Sequence, residues 1–208
     1  MEINMQNFQF VFGPVPSRRL GQSLGVSPIP DRTCNYSCTY CQLGRTIHMT
    51  NVREMFFPAA KILDEFERAV ASGAAFDVVT VVGEGEPTLY AGLGELLSGL
   101  KERTDKPVAV ITNGALLYDE QVRKELKQAD IVLPSLDAVS EEQYRRIDRP
   151  YGKLDYSEVQ KGLIQFSHEY EGQLYLEIML LGGMNCDDGS LAGLADLLKP
   201  IRYDRVYV

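Results

Sequence analysis

A chain of 208 residues, 45% hydrophobic and 24% charged, has the length and apolar content for one domain with a substantial core. No stretch is long and apolar enough to span a bilayer, and residues 1–6 lack the basic start and apolar run of a secretory signal, so a cytoplasmic protein with no membrane partner is expected. The net charge of −8 disfavours a nucleic-acid partner held by phosphate neutralisation, which draws on a surplus of Lys and Arg.

In chain order, residues 1–22 read as an N-terminal extension, and residues 24–29 supply a first strand just before a cysteine-rich loop. Pro58 suits the first turn of a helix over 58–72, whose apolar stripe is Ile62, Leu63, Phe66, Ala69 and Val70, with Gly73 ending it. The β-branched run 77–82 predicts a strand buried on both faces. Leu93, Leu96, Leu97 and Leu100 mark a second helix, and 108–112 a third strand. Asp119 caps a helix bearing Val122 and Leu126 ahead of a strand over 130–134. After an irregular stretch, Asp155 and Glu158 form a capping-box pattern before Val159, Leu163 and Phe166. A strand over 174–181, a helix with Leu191, Leu194 and Leu198 closed by Pro200, and a strand over 204–208 complete the chain.

Alternation of this kind predicts an α/β fold with a parallel sheet and covering helices. About six strands are fewer than the eight of a closed barrel, so an open, partial barrel and a doubly wound sheet both fit. With no repeat or linker, residues 1–208 read as a single domain; the ending at Tyr207-Val208, inside or at the end of a strand, fits a cut through a longer polypeptide at least as well as a natural end.

The four cysteines are at 34, 38, 41 and 186. Cys34-Asn35-Tyr36-Ser37-Cys38-Thr39-Tyr40-Cys41 has the spacing C-x3-C-x2-C. Three thiolates converging from one loop can each take one iron of a cubane cluster and leave the fourth iron open for chemistry. The same three with His48 would complete a Cys3His set for structural zinc. Cys186 stands alone and reads as a small loop or core residue; His48 and His168 carry no clear signal of their own.

C-x3-C-x2-C with an aromatic residue before the last cysteine resembles the signature loop of the radical SAM superfamily, and the likeness runs from that loop to the last strand. It implies a partial (βα)6 TIM-like barrel carrying a [4Fe–4S] cluster on Cys34, Cys38 and Cys41. It implies S-adenosyl-L-methionine (SAM) as the second cofactor, cleaved reductively to a 5′-deoxyadenosyl radical that takes a hydrogen from an unidentified substrate. An electron donor such as flavodoxin or ferredoxin is the implied partner. No protein acid–base pair is assigned, because the cofactor carries the hard chemistry.

The resemblance also implies SAM contacts. Tyr40 holds the aromatic position near the adenine. Gly83-Glu84-Gly85-Glu86-Pro87 resembles the Gly-Gly-Glu-Pro element that holds the methionine amino group, with Glu84 standing where the family has glycine. Asn113, Ser135 and Asp137, at the ends of two strands, are candidates for the ribose and carboxylate, with Thr112 beside them; capping and turn formation is the competing reading. Arg149 could meet the SAM carboxylate or a substrate phosphate, or end a solvated helix, and an inward Glu177 would face the cavity. Residues 12–21 and 83–90 look like the branch of the tRNA wyosine-base (4-demethylwyosine) synthases, which use a second cluster for which this sequence has no cysteines. Arg18 and Arg19 in that run would contact a phosphate or the cofactor, or pair with surface carboxylates. A zinc-stabilised module and an electron-transfer iron–sulfur protein are the non-catalytic alternatives.

Overall fold

The computed structural model describes residues 8–208; the sequence reading of residues 1–6 lies outside them. β1 (Val11–Ser17) and β2 (Gly21–Val26) form an antiparallel hairpin at one edge of a seven-stranded sheet. β3 (Thr33–Cys34) and β4 (His48–Met49) make a two-residue parallel ladder within the long loop that follows β2. Then come α1 (Ala59–Ala71), β5 (Val78–Val81), α2 (Leu93–Lys101), β6 (Val108–Thr112), α3 (Glu120–Leu126) and β7 (Ile131–Pro134). After these lie α4 (Glu141–Ile147), α5 (Tyr156–Glu169), β8 (Gln173–Glu177), α6 (Asp188–Leu198) and β9 (Arg205–Tyr207).

The six strands β2, β5, β6, β7, β8 and β9 are parallel and neighbour one another in the order of the chain. A doubly wound sheet reverses its strand order at a switch point, and this sheet does not. Strand order therefore selects the partial (βα)6 barrel.

Alternate residues of each strand face opposite ways. Leu24, Val26, Val79, Val81, Val108, Val110, Val132, Leu174 and Leu176 pack against the helices in the main core. The other face gathers Val78, Ala109, Ile131, Leu133 and Tyr175, with Leu20 of the β1–β2 turn packed against them. The hairpin tip thus tucks into the inner face. Residues 11–22, read from the sequence as an extension, are therefore a structural part of the sheet, and β2 lies earlier than the expected 24–29. α1 anchors the hairpin: the buried carboxylate of Glu65 accepts the main-chain N–H groups of Phe10 and Val11.

Two further corrections are local. Pro58 is the cap of α1, preceding its first turn. The stretch expected to be irregular contains α4, whose cap Ser140 accepts a hydrogen bond from the Gln143 main chain. No described helix is long and apolar enough to cross a membrane.

Candidate metal centre at the carboxyl ends of the strands

The loop after β2 crosses the carboxyl ends of the strands and is fastened on both sides. On one side, Thr33 forms a bridge to Gly85 beyond β5, and Glu86 N donates to Thr33 O at 3.0 Å. A Cβ at Gly85 would stand 1.8 Å from that same oxygen, so only glycine allows the two backbones to meet. On the other side, Ser37 N donates to Asp148 O (3.0 Å), Thr39 N to Ile147 O (2.8 Å) and Tyr151 N to Asn35 O (2.7 Å), tying the loop to the end of α4. Cys34, Cys38 and Cys41 emerge from this loop half-buried, whereas Cys186 is exposed in the loop after β8.

Burial pushes the Cys34 thiol up to about 12, helped by the negative charge of Glu86. Cys38 is raised further, by burial and then by the Asp148 carboxylate. Asp148 is itself held well above the usual carboxylate range by burial and by its neighbour Asp137. Cys34 and Cys38, so placed beside carboxylates, make poor free thiolates. A bound cation reverses that balance, because metal coordination deprotonates a thiol.

The donor set fits an iron–sulfur cluster better than a closed zinc site. Among the described residues no three His, Cys, Asp or Glu side chains draw together around a single ion. His48 is exposed, and its backbone, rather than its ring, is what joins it to the loop, through the pairing with Thr33. Three thiols on one loop with no fourth protein ligand suit a polynuclear cluster with an open position.

Around these thiols the structure gathers the residues singled out in the sequence, and it separates those with free polar groups from those already engaged. Glu86 is buried, and its carboxylate accepts four hydrogen bonds: from Thr88 N (3.0 Å), Thr88 Oγ1 (2.6 Å), Thr112 Oγ1 (2.6 Å) and Asn113 N (2.7 Å). Burial raises its pKa while these donors oppose the rise. It acts as a clamp between the ends of β5 and β6. Pro87 opens the short 3₁₀ turn that Glu86 caps. Asp137 accepts from Met179 N at 2.7 Å and from the hydroxyl of Tyr40, so the aromatic residue of the cysteine loop is fixed to the end of β7. Asn113 has both ends of its amide bonded: Oδ1 accepts from Ala115 N (2.9 Å), and Nδ2 donates to Asn35 Oδ1 (2.7 Å) and to Cys34 Sγ (3.7 Å).

Gly83, Glu84, Ser135 and Arg149 are different. Gly83 and the exposed Glu84 lie on the turn after β5, where Glu84 N donates to Ser27 Oγ at 3.2 Å. Ser135 is half-buried at the end of β7, bridged to Glu177, and lines a narrow cleft with Tyr36, Asn113, Asp137, Tyr144 and Asp148. Arg149 is exposed and has a left-handed backbone, φ +49°, with its carbonyl receiving Ser37 N at 3.3 Å. Such strain in a residue with a side chain persists where the surroundings over-determine it, here beside the cysteine loop. Arg19 pairs with Glu177, which is mostly buried at the end of β8.

Three residues at the site escaped the sequence reading. Asn35 and Asn51 are ordinary loop asparagines until the fold sets them in line with Asn113. Asp148 lies between Arg146 and Arg149 in the sequence, and its place directly after the capped helix α4 is the signal that points to it.

Comparison with known proteins agrees with this geometry. The model of the radical SAM superfamily matches residues 29–195. A Synechocystis protein named UPF0026 is 42% identical over 195 residues, covering 93% of this chain and 73% of its own length. A Brachyspira hyodysenteriae protein named GTPase Obg is 40% identical over 196 residues, 94% of this chain but 29% of that protein. The crystal structure of archaeal TYW1 superposes with a TM-score of 0.58 at 19% identity, over 86% of this chain and 61% of that one, a likeness of fold. With its cysteine loop, its strand order and a match across most of its length, the chain belongs to the radical SAM superfamily, whose members are enzymes that use a [4Fe–4S] cluster and SAM.

Proposed function

We propose that this chain binds a [4Fe–4S] cluster through Cys34, Cys38 and Cys41 and catalyses reductive cleavage of SAM, directing the 5′-deoxyadenosyl radical at a hydrogen of its substrate. The observation that carries this reading is the placement of three half-buried thiols, on one loop, over the carboxyl ends of parallel strands. The bound cluster supplies an electron to the sulfonium at low potential.

The chain's own residues bind and orient. The turn Gly83-Glu84-Gly85 offers main-chain groups and the free carboxylate of Glu84 to an ammonium group. Ser135 offers a hydroxyl to the ribose, and Arg149 a guanidinium to the methionine carboxylate. Tyr40, steadied by Asp137, presents its ring to the adenine. Glu86, Pro87, Asn113 and Asp137 shape the mouth that holds these groups, since their polar atoms are engaged within the protein. The electron comes from a donor of the flavodoxin or ferredoxin type, and the net charge of −8 favours a substrate other than nucleic acid.

The test is EPR spectroscopy of anaerobically reconstituted, dithionite-reduced protein with and without SAM, alongside assay of 5′-deoxyadenosine. A spectrum altered by SAM together with nucleoside formation is expected. A cluster indifferent to SAM would make the protein an electron carrier, and zinc with no cluster would make it a structural module.

A further inference from the structure

A chain of side-chain amides runs from the first cysteine to the surface. Asn113 Nδ2 lies 3.7 Å from Cys34 Sγ and 2.7 Å from Asn35 Oδ1. Asn35, fully buried, donates through Nδ2 to Asn51 Oδ1 at 3.1 Å, and Asn51 Nδ2 donates to the hydroxyl of Tyr118 at 3.0 Å.

One backbone group fixes the direction of the whole series. Ala115 N–H can only donate, and it meets Asn113 Oδ1 at 2.9 Å. The opposite end of that amide must therefore be its NH2, which faces both the sulfur and Asn35. Asn35 must in turn present its oxygen to Asn113 and its NH2 to Asn51, and the same logic orients Asn51 toward Tyr118. Were any of these amides flipped, two donors or two acceptors would face each other.

The sulfur consequently lies against N–H groups. Tyr36 N approaches Cys34 Sγ at 3.3 Å and Asn113 Nδ2 completes the pair. Hydrogen bonds to a cluster sulfur stabilise the more negative, reduced state and raise the reduction potential. Asn113 is the direct donor; Ala115 N holds its Oδ1, and Asn35, by accepting the second N–H, sets the tilt of the amide toward Cys34.

We propose that Asn35 is a positioning residue: it aims the Asn113 amide at the Cys34 sulfur and so raises the potential at which the cluster accepts its electron, with Asn51 and Tyr118 completing the relay. This rests on the reading that the cluster is bound at Cys34. A potential more accessible to the electron donor is what the relay provides.

The test is an EPR-monitored redox titration of the full chain, reconstituted anaerobically, as wild type and as Asn113→Ala, Asn35→Ala and Asn51→Leu. At equal iron content, the midpoint should become more negative in all three, most in Asn113→Ala, nearly as much in Asn35→Ala and least in Asn51→Leu. Pulsed EPR on the same samples should show the coupling of an exchangeable amide proton weakened in Asn35→Ala although Asn113 is still present, an effect that mere loosening of the fold would not mimic. A wild-type midpoint and coupling in a loaded Asn35→Ala protein overturns the relay. If the two inner variants take up no iron, the half-buried Asn51 decides, and an unchanged midpoint in Asn51→Leu overturns the relay equally. A wild-type chain that takes up no iron overturns the cluster reading itself and the relay with it.

Discussion

Along the bodies of β5 and β6, Val79, Val81, Val108 and Val110 are buried among the leucines of α2, and Val78 and Ala109 fill the opposite face. A few residues further along the same strands, the buried groups are Glu86, Thr88, Thr112 and, on the loop above them, Asn35. Both regions exclude water, but by different means. Dispersion and apolar burial hold the strand bodies, and they depend on volume. Directional hydrogen bonds hold the mouth, and they depend on each partner being present and correctly turned. The body should therefore respond to substitution by losing stability in proportion to volume removed, whereas the mouth should lose its function while the fold survives.

Gly85→Ala is expected to have the largest effect. The added Cβ meets the Thr33 carbonyl at 1.8 Å, and that oxygen belongs to backbone already paired to Glu86 N. The cysteine loop must move, so the iron content of reconstituted protein should collapse. Gly152→Ala, where nothing lies within 4 Å, should load iron as the wild type does. Equal loading in the two would show that the loop is adaptable and that the mouth is not as rigid as its hydrogen bonds suggest. Next in size is Leu97→Ala in the body: this side chain is fully buried in the core, and its truncation should cost about 3 kcal/mol in urea unfolding. Because the residue belongs to α2 and the helix-side core, iron content below the unfolding transition should remain at the wild-type level. A loss of iron there would erase the distinction between the two regions.

Ser140→Ala sits between the regions and should have an intermediate effect. Ser140 Oγ accepts Gln143 N at 3.2 Å to start α4, and the far end of α4 supplies the Ile147 and Asp148 carbonyls that hold Thr39 and Ser37. Losing the cap should cost about 1 kcal/mol. In a chain of this size that is a fall of about 3 °C in Tm. Slower cluster assembly should accompany it, measured by the growth of absorbance during reconstitution. Unchanged assembly would mean that the loop holds α4 in place rather than α4 the loop.

The same contrast explains what could be read from the sequence. Strand bodies and helices are periodic, and runs such as 77–82 and 108–112 therefore identified themselves, as did the Asp155 cap, which accepts Ser157 N and Glu158 N. The cysteine spacing and Gly-Glu-Gly-Glu-Pro were legible because their chemistry lies within a few residues. α4 does not show in the periodicity, although Ser140 and Gln143 carry a capping pattern, because only Tyr144 and Ile147 of its seven residues are buried apolar and they form too short a stripe. β1 carries no strand pattern because Gly13, Pro14 and Pro16 interrupt it, residues that a strand tolerates at the edge it occupies. The engagement of Glu86 with Thr112 and Asn113, 26 and 27 residues away, depends on β5 and β6 being neighbours. No local pattern encodes that.

The smallest effect should come from Glu177→Gln, at the border between the inner face and the mouth. Burial raises the Glu177 carboxyl above its ordinary value of 4.5; Arg19 opposes the rise and Asp137 adds to it. With the folded pKa above the unfolded one, the folded protein holds more protons than the unfolded chain at pH values between the two. Stability contributed by this group is therefore greatest at acid pH and declines as pH rises through that window. A glutamine does not titrate, so the stability of the wild type relative to Glu177→Gln should be level at acid pH, fall as pH rises above the ordinary value of 4.5, and level off again once the raised folded value is passed. Urea unfolding at a series of pH values measures this directly, provided both proteins are compared at each pH so that the other carboxyls cancel. A difference that grows with pH would show instead that the Arg19 pair outweighs burial, and that the hairpin tip is latched to β8 by charge rather than by the packing of Leu20 against the inner face.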